Sequence, residues 1–305
     1  MYFCKKANMA NDVLIPDVPR DDRIGSAFNH LFNVINQTKA IDDSITWNFS
    51  DKIFFHPFFL APLAIYKDCC NKNITCSNLS DTLKGYFSFV HFENIYDASN
   101  LSSSKTLNGY LQKSYIPISR FTISNSNVEK IEEILQKIME KQSNIDANMK
   151  TPISLFLSEL VDNIKEHSAS KYGYIFSQKV KNNLYVIIGD NGKTIYKSYV
   201  DTKKHLDKIG GDEAKAIEFA NNGYSTKDRP EAENRGFGLS KSRSMIVDGL
   251  GGAFFMLSGG AFYRHENGSV KIAKLSEQFR WHGTIILIRI PIIAPPDFNY
   301  TDYLE

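Results

Sequence analysis

Polar side chains at regular spacing occur in two segments of the second half of the chain. In SELVDNIKEHS, Glu159, Asn163 and His167 lie four residues apart, which places them on one face of a helix. In VIIGDNGKTI, an apolar strand runs directly into Asp190, and Gly192 follows two residues later. The first set offers a base, a metal ligand and a phosphate contact; the second offers a carboxylate acceptor beside a glycine that lets a planar group approach. Solvated helix faces and Asn-Gly turns are common, so each segment alone leaves both interpretations open.

Two further segments have features of a ligand site. In ENRGFGLSKSR, Gly236 and Gly238 precede a helix whose first turn contains Leu239 and Ser240. Glycines allow close approach of the backbone, and the first N–H groups of a helix bind phosphate. In WHGTIILIRIP, Thr284 opens a hydrophobic strand, where its hydroxyl can support a bound base. A glycine-rich turn and an ordinary strand are the alternatives, since the chain has no P-loop and no strand leads into these glycines as in a Rossmann fingerprint.

Hydrophobic periodicity predicts the elements that carry these segments. Apolar residues at helical spacing predict helices over 127–145, from Ile153 to Ser168 and from Gly238 to Asp248. The polar region 191–235, rich in lysine and aspartate, is predicted to contain one short helix in its middle. Alternating or continuous apolar runs predict strands over 172–180, 183–190, 253–259, 261–266, 270–275 and 283–291, the last as a central strand.

A change of pattern near residue 125 predicts two domains. We expect residues 1–124 to form a smaller α/β module and residues 125–305 to form an α+β domain. The larger domain is expected to be a two-layer α/β sandwich with a mixed, mainly antiparallel sheet. The module is predicted to contain helices over 23–38 and 61–72 and strands over 45–50, 86–92 and 114–123.

Composition restricts the class of protein. The 305-residue chain has 36 Lys and Arg against 34 Asp and Glu, so its net charge of +2 gives no overall attraction to nucleic acid or membrane. Charged residues at 23% and aromatic residues at 12% exclude a disordered protein. The most apolar run, Ile53 to Tyr66, has 14 residues, whereas a membrane-spanning helix needs about 20. Because the N-terminus has no apolar leader, we expect a cytoplasmic protein.

The cysteines are confined to the first quarter of the chain. Cys4, Cys69, Cys70 and Cys76 form no C-x-x-C pair and have no histidine at zinc-finger spacing. We therefore expect free thiols in a reducing compartment and neither a disulfide framework nor a metal site.

Together, the four polar segments resemble the ATP-binding domain of the GHKL superfamily, which includes gyrase-type topoisomerases, heat-shock chaperones of the ninety-kilodalton class, histidine kinases and mismatch-repair ATPases. ELVDNIKEHS is similar to its N-box, DNGKT to its first glycine box, RGFGL to its second, and the Gly-Thr pair before the last strand to its closing element. The E…N…H pattern also resembles the bacterial anti-sigma-factor serine kinases. The resemblance covers residues 125–295 and implies a sandwich of the GHKL type.

What the resemblance implies is a site for ATP and Mg²⁺. Asn163 would bind magnesium through its side-chain oxygen, and Glu159 would polarise the attacking water or lie near the metal. His167 would lie near phosphate. Asp190 would accept a hydrogen bond from the adenine amino group, with Gly192 beneath the ring.

The resemblance also implies the rest of the nucleotide site. Thr284 would support the adenine contact. Gly236, Gly238 and the N–H groups of Leu239 and Ser240 would hold the phosphates. Residues 196–235 would form a mobile lid, although Thr194 stands where the family has its second glycine, which puts lid geometry and turnover in question.

Two kinds of function follow from the resemblance. The first is a magnesium-dependent regulatory ATPase or protein Ser/Thr kinase that acts on a protein partner; the second is a nucleotide-gated interaction module without significant catalysis. The predicted helix over 127–145 contains no histidine, which argues against a self-phosphorylating histidine kinase. The N-terminal module faintly resembles a STAS-type domain, with an unrelated docking module as the alternative, and we expect it to contact the partner. Whether the chain forms a homodimer is left open.

Overall fold

The computed structural model divides the chain into two compact units, residues 1–95 and 96–305. The helix predicted over 127–145 falls outside the described residues except for Lys137, and Gly236 also falls outside them. The structure describes residues 11–18, 24–50, 52, 54–102, 108–110, 113–123, 137, 147–224, 226 and 238–303.

The first unit contains a parallel three-stranded sheet in the order β1-β2-β3, and a helix follows each strand. Such a sheet requires crossover connections, which the helices supply. The expected mixed α/β character of this unit is therefore present. The strands are β1 (Asp12–Leu14), β2 (Ile45–Asn48) and β3 (Ile74–Ser77). The helices are α1 (Phe28–Lys39), α2 (Pro57–Cys69) and α3 (Asp81–Val90).

The strand predicted over 86–92 is wrong, because this segment belongs to α3. The aromatic alternation of YFSFVHF imitates a strand, but the buried residues Leu83, Phe87 and Val90 lie at helical spacing. Ser80 caps the helix by accepting a hydrogen bond from the backbone N–H of Leu83 (3.2 Å). Periodicity that starts upstream of the aromatic run, together with this cap, is the signal that the sequence prediction missed.

Helix α2 begins four residues earlier than predicted. His56 caps it, since its Nδ1 accepts a hydrogen bond from the backbone N–H of Phe58 (3.2 Å), and Pro57 occupies the first helical position. Pro62 lies inside the helix. A proline there removes one backbone hydrogen bond, yet the first three turns of α2 are buried, so packing offsets that loss.

The thiols of the first unit are partly buried and none of the three that the structure describes forms a disulfide. Burial raises the pKa of Cys76 to about 12 and also raises that of Cys70. Neutral thiols of this kind are poor nucleophiles and poor metal ligands.

The second unit contains an eight-stranded sheet in the order β10-β9-β8-β11-β7-β6-β5-β4. Among the described strands, β4 and β5 run parallel and the other neighbours run antiparallel. The prediction of a mainly antiparallel sheet with the last long strand at its centre is confirmed. The strands are β4 (Tyr96–Asp97), β5 (Tyr115–Thr122), β6 (Tyr172–Val180), β7 (Asn183–Asp190), β8 (Ala253–Gly259), β9 (Ala261–Glu266), β10 (Ser269–Lys274) and β11 (Trp281–Pro291).

Strand β5 explains why the units divide between Ile95 and Tyr96, about 30 residues before the boundary near 125 that the sequence suggested. β5 pairs antiparallel with β6 from Tyr115 to Thr122, so it belongs to the larger sheet. The break in composition near 125 lies inside this unit, whereas the strand pairing is a long-range contact that local composition does not report.

A long helix, α4 (Ala147–His167), packs on the sheet. Its apolar side, including Phe156, Leu160 and Ile164, joins a core that contains Val186 and Ile188 of β7. The helix starts six residues before the predicted Ile153, and it leaves the Glu159–Asn163–His167 stripe away from this core. Among the described residues, no helix is both long enough and apolar enough to cross a membrane.

The chain between β7 and residue 224 forms three helices, where the sequence predicted one. Tyr199, Ile209 and Ala216, one from each helix, share a small apolar core. Polar, lysine-rich composition concealed this packing. The helices are α5 (Ile195–Thr202), α6 (Leu206–Ile209) and α7 (Glu213–Asn221), and α8 (Gly238–Ser244) follows later in the chain and continues as a π-helical turn over Met245–Gly249.

Both faces of the central strands are buried. Val186 and Ile188 of β7 face the core under α4, while Ile187 on the opposite face is also fully buried, as is Leu287 of β11. The architecture is therefore mixed α/β around a mainly antiparallel sheet. A two-layer sandwich, with helices on one face of the sheet, does not by itself account for the burial of the opposite face.

Candidate functional site

A cavity of about 620 Å³ lies in the second unit, bounded by α4, α5, α7, α8 and the strands β7, β8 and β11. This volume falls within the range of small-molecule sites. Seven of the residues that the sequence singled out line it: Glu159, Asn163, His167, Asp190, Gly238, Leu239 and Thr284. Gly192 lies behind Asp190, Ser240 lies in α8 outside the lining, and Gly236 is outside the described residues.

The polar stripe of α4 forms one wall of the cavity. The side-chain nitrogen of Asn163 donates a hydrogen bond to Glu159 Oε1 (3.1 Å), as expected for residues one turn apart. This contact turns the amide so that its nitrogen faces the carboxylate, and the amide oxygen is then the atom that Asn163 can offer to a cation.

His167 occupies the last position of α4, at the same wall. Its Nδ1 lies 3.0 Å from Thr226 Oγ1, and its backbone oxygen accepts a hydrogen bond from Ser198 Oγ (3.1 Å). Thr226 also lines the cavity. His167 thus contacts α5 through its backbone oxygen and the chain that follows α7 through its imidazole.

Asp190 supplies a buried carboxylate at the end of β7. It is 3% exposed, and its Oδ1 accepts a hydrogen bond from the backbone N–H of Gly192 (2.8 Å). Burial raises the pKa of Asp190 to about 7, although hydrogen bonds from the backbone N–H groups of Gly192 and Thr284 oppose the shift. A carboxyl group with such a pKa at a cavity wall is a typical ligand-binding feature.

A hydroxyl pair lies beside Asp190. Ser258 Oγ donates to the backbone oxygen of Gly283 (3.1 Å), accepts from the backbone N–H of Ile195 (2.9 Å) and lies 3.0 Å from Thr284 Oγ1. The hydroxyl of Ser258 has one proton, which it donates to the backbone oxygen of Gly283. Thr284 therefore donates its own hydroxyl proton to Ser258 and keeps its lone pairs for a ligand or a water. Ser258 is a site residue that the sequence analysis missed; as one serine in an apolar strand, it carries no local signal.

Two glycines are required by the close packing around Asp190. A Cβ on Gly192 would collide with the backbone oxygen of Ser168, just after α4. Gly283 has φ +77°, and a Cβ there would lie 2.5 Å from the backbone oxygen of Asp190. The first of these was predicted as a site residue, and its position shows a packing role at the junction of α4 and β7.

Thr194, which stands where the GHKL superfamily has a glycine, is the N-cap residue of α5. Its hydroxyl accepts a hydrogen bond from the backbone N–H of Lys197 (3.1 Å) and so caps α5. The chain here enters a helix directly after β7, so a threonine suits the local structure.

An aromatic cluster forms part of the cavity lining, and the sequence analysis did not find it. Tyr199, His205 and Tyr224 line the cavity, and Phe219 stacks on Tyr224 with ring centroids 4.6 Å apart. The hydroxyl of Tyr199 donates to the backbone oxygen of Tyr224. These residues come from α5, the connection between α5 and α6, α7 and the chain just after α7, so only the packing of the three helices brings them together.

The donor set fits a phosphate-bound magnesium ion better than an all-protein metal site. Over the described part of the chain, no group of three or more His, Cys, Asp or Glu side chains is placed to hold a metal. Glu159 and Asn163 offer two adjacent oxygen ligands at the cavity wall. Magnesium commonly takes one or two protein oxygens and completes its shell with phosphate oxygens and water.

Comparison with known proteins identifies no relative of this chain. No protein-family model, no curated protein and no solved structure matches this chain.

Proposed function

We propose that the second unit binds ATP with Mg²⁺ in the 620 Å³ cavity. The observation that carries the proposal is that the buried carboxylate of Asp190 and the hydroxyl of Thr284 line the same cavity as Glu159 and Asn163. The clustering also supports the proposal because it brings together, in one cavity, residues from all four of the sequence segments whose resemblance implied this ligand.

The sheet end of the cavity suits an amino-substituted base. The ionised carboxylate of Asp190 accepts from an exocyclic amine, and Thr284 adds a second acceptor. Ile188, Met256 and Ile286 supply apolar surface for the ring faces. A keto group at the same place, as in guanine, would face two acceptors, so the site favours adenine.

The α4 end suits the phosphates and their cation. Asn163 offers its amide oxygen to Mg²⁺, and Gly238 and Leu239 bring the backbone of α8 to the same cavity. Magnesium there would neutralise phosphate charge. Glu159 lies one turn from Asn163, where it can orient a water for hydrolysis or align the metal for transfer to a Ser or Thr hydroxyl of a protein partner.

A binding module without turnover is the second candidate. The hydrogen bond between Glu159 and Asn163 favours it, because this carboxylate already serves to orient the amide that would bind the metal. Phosphate release by the wild type and by Glu159→Gln separates the two: turnover that falls with unchanged affinity supports an enzyme, and no turnover in either supports the module. The first unit remains the predicted surface for a protein partner.

The test of nucleotide binding is calorimetric titration with a non-hydrolysable ATP analogue and Mg²⁺. Asp190→Asn should weaken binding by about 10–100-fold, the value of one hydrogen bond to a charged group. Asp302→Asn, which changes an exposed carboxylate in the C-terminal segment, should leave the affinity unchanged. The proposal fails if the wild type binds no nucleotide, or if both variants bind as tightly as the wild type.

A further inference from the structure

We propose that Thr226 is an internal phosphoacceptor: the cavity transfers the γ-phosphoryl group of its own ATP to the Thr226 hydroxyl, with His167 as the general base. The inference rests on the proposed function and deepens it, since it names an acceptor for the reaction.

The geometry of nucleophile and base carries the argument. Thr226 Oγ1 lies 3.0 Å from His167 Nδ1, within the distance needed for proton transfer, and both residues line the cavity. A hydroxyl next to an imidazole is the arrangement that activates a weak nucleophile. Neither nucleotide binding nor magnesium binding, as proposed above, uses this hydroxyl.

The position of His167 on α4 places the base beside the metal end of the site. It lies one helical turn beyond Asn163, which corresponds to about 6 Å along the helix axis. It is also the last residue of α4, so its side chain lies at the end of the helix that contains Asn163.

The surroundings hold both partners in place. Ser198 of α5 donates to the backbone oxygen of His167 (3.1 Å), which fixes the end of α4. Two residues before Thr226, Tyr224 is held by the hydroxyl of Tyr199 and by its stack on Phe219. Thr226 and Tyr224 both line the cavity, and Thr226 is held there by its contact with His167.

The proposed step conserves atoms and charge. Thr226 Oγ1 attacks the γ-phosphorus, the bond between that phosphorus and the β–γ bridging oxygen breaks, and ADP leaves with Mg²⁺. The hydroxyl proton passes to His167 Nδ1 and then to solvent. The products are phosphothreonine at 226 and ADP, and no further reactant is required.

The competing explanation is that the Thr226–His167 hydrogen bond only fastens the chain to the end of α4. The two explanations differ in what Thr226→Ser and Thr226→Val do. A fastening role predicts no label on either variant and a loss of stability in the second, whereas an acceptor role predicts that serine is labelled and valine is not.

The experiment incubates the full-length protein with Mg²⁺ and ATP carrying a labelled γ-phosphate, followed by intact mass and phosphopeptide mapping. We expect one phosphoryl group on residue 226 in the wild type and in Thr226→Ser, and none there in Thr226→Val. Thr202→Val, on the exposed side of α5, is the matched control and should be labelled like the wild type. His167→Gln should slow labelling by about 100-fold or more.

A rate constant that is independent of protein concentration would show transfer within one chain. Titration with the non-hydrolysable analogue separates this inference from the proposed function. If the wild type binds the analogue yet takes up no label, or if Thr226→Val is labelled as fast as the wild type, the acceptor role is overturned while ATP binding stands. If the analogue does not bind at all, both fail together.

Discussion

Asp190 is expected to make the stability of the protein depend on pH. Its pKa is raised above that of an ordinary carboxyl group to about 7, because burial penalises the charged form. The folded state thus holds a proton that the unfolded state has released, so the free energy of unfolding falls between about pH 4 and pH 7 and then levels off. A shift of this size corresponds to roughly 4 kcal/mol at most.

Asp190→Asn removes this titration. Urea unfolding measured from pH 4 to pH 8 should show a flatter profile than the wild type and a more stable variant above pH 7. Asp302→Asn should keep the wild-type slope, since that carboxyl is exposed. An unchanged slope in Asp190→Asn would mean that another group titrates.

Gly283 and Gly268 both have a positive φ. Substitutions at the two positions therefore distinguish the cost of steric crowding from the cost of the backbone conformation. Both have φ near +70°, but a Cβ on Gly268 meets open space, whereas one on Gly283 meets Asp190. Gly268→Ala should cost about 1 kcal/mol for its backbone alone. Gly283→Ala should cost about 3 kcal/mol, because overpacking adds to the same backbone penalty. Denaturant unfolding measures both, and equal losses would contradict the close packing.

At the scale of elements, α7 is tied to the sheet and to α8. Glu213, at its start, forms a two-pronged ion pair with Arg280 (2.8 and 2.9 Å) and also accepts from the backbone N–H of Gly260 (3.1 Å). Asn221, at its end, accepts from Arg243 of α8. These contacts hold α7, which lies within the 196–235 segment that the resemblance implies to be a lid, against the sheet and α8.

The Glu213 anchor can be tested against a second acid that contacts the same arginine. Glu213→Gln should lower the free energy of unfolding by about 2 kcal/mol, since a half-buried charge-assisted contact is lost. Glu277→Gln removes an exposed contact of Arg280 and should cost less than about 0.5 kcal/mol. Hydrogen exchange of the α7 amides should rise only in the first variant. Equal effects would show that α7 does not depend on this ion pair.

At the scale of the whole molecule, the eight-stranded sheet sets where the second unit begins. A chain shortened to start at residue 125 lacks β4 and β5 and exposes the edge of β6, whereas one that starts at Tyr96 keeps all eight strands of the larger sheet. We expect the longer of the two to melt at a higher temperature and with a sharper transition by circular dichroism. If the shorter chain is as stable, the division between Ile95 and Tyr96 is incorrect.

Local chemistry along the chain determined much of the candidate site. Helical spacing placed Glu159, Asn163 and His167 on one face, and that face lines the cavity. The run of apolar residues into Asp190 predicted a strand that ends in an acid, and the structure has a strand there that ends in a buried aspartate. Such patterns involve residues of a single helical turn or a single strand. Because these residues are close together in the sequence, the patterns can be recognised without the tertiary structure.

Only the tertiary structure decided the remaining features. The Ser258–Thr284 pair, the Tyr199–His205–Tyr224 wall and the Thr226–His167 contact join residues that are up to 59 positions apart, on elements whose packing no local pattern specifies. The helical structure of α5, α6 and α3 likewise came from burial, since polar composition or aromatic alternation favoured other structures. The sequence alone determined which residues carry acceptor, donor and base groups at regular spacing, and long-range packing decided which of them share a cavity.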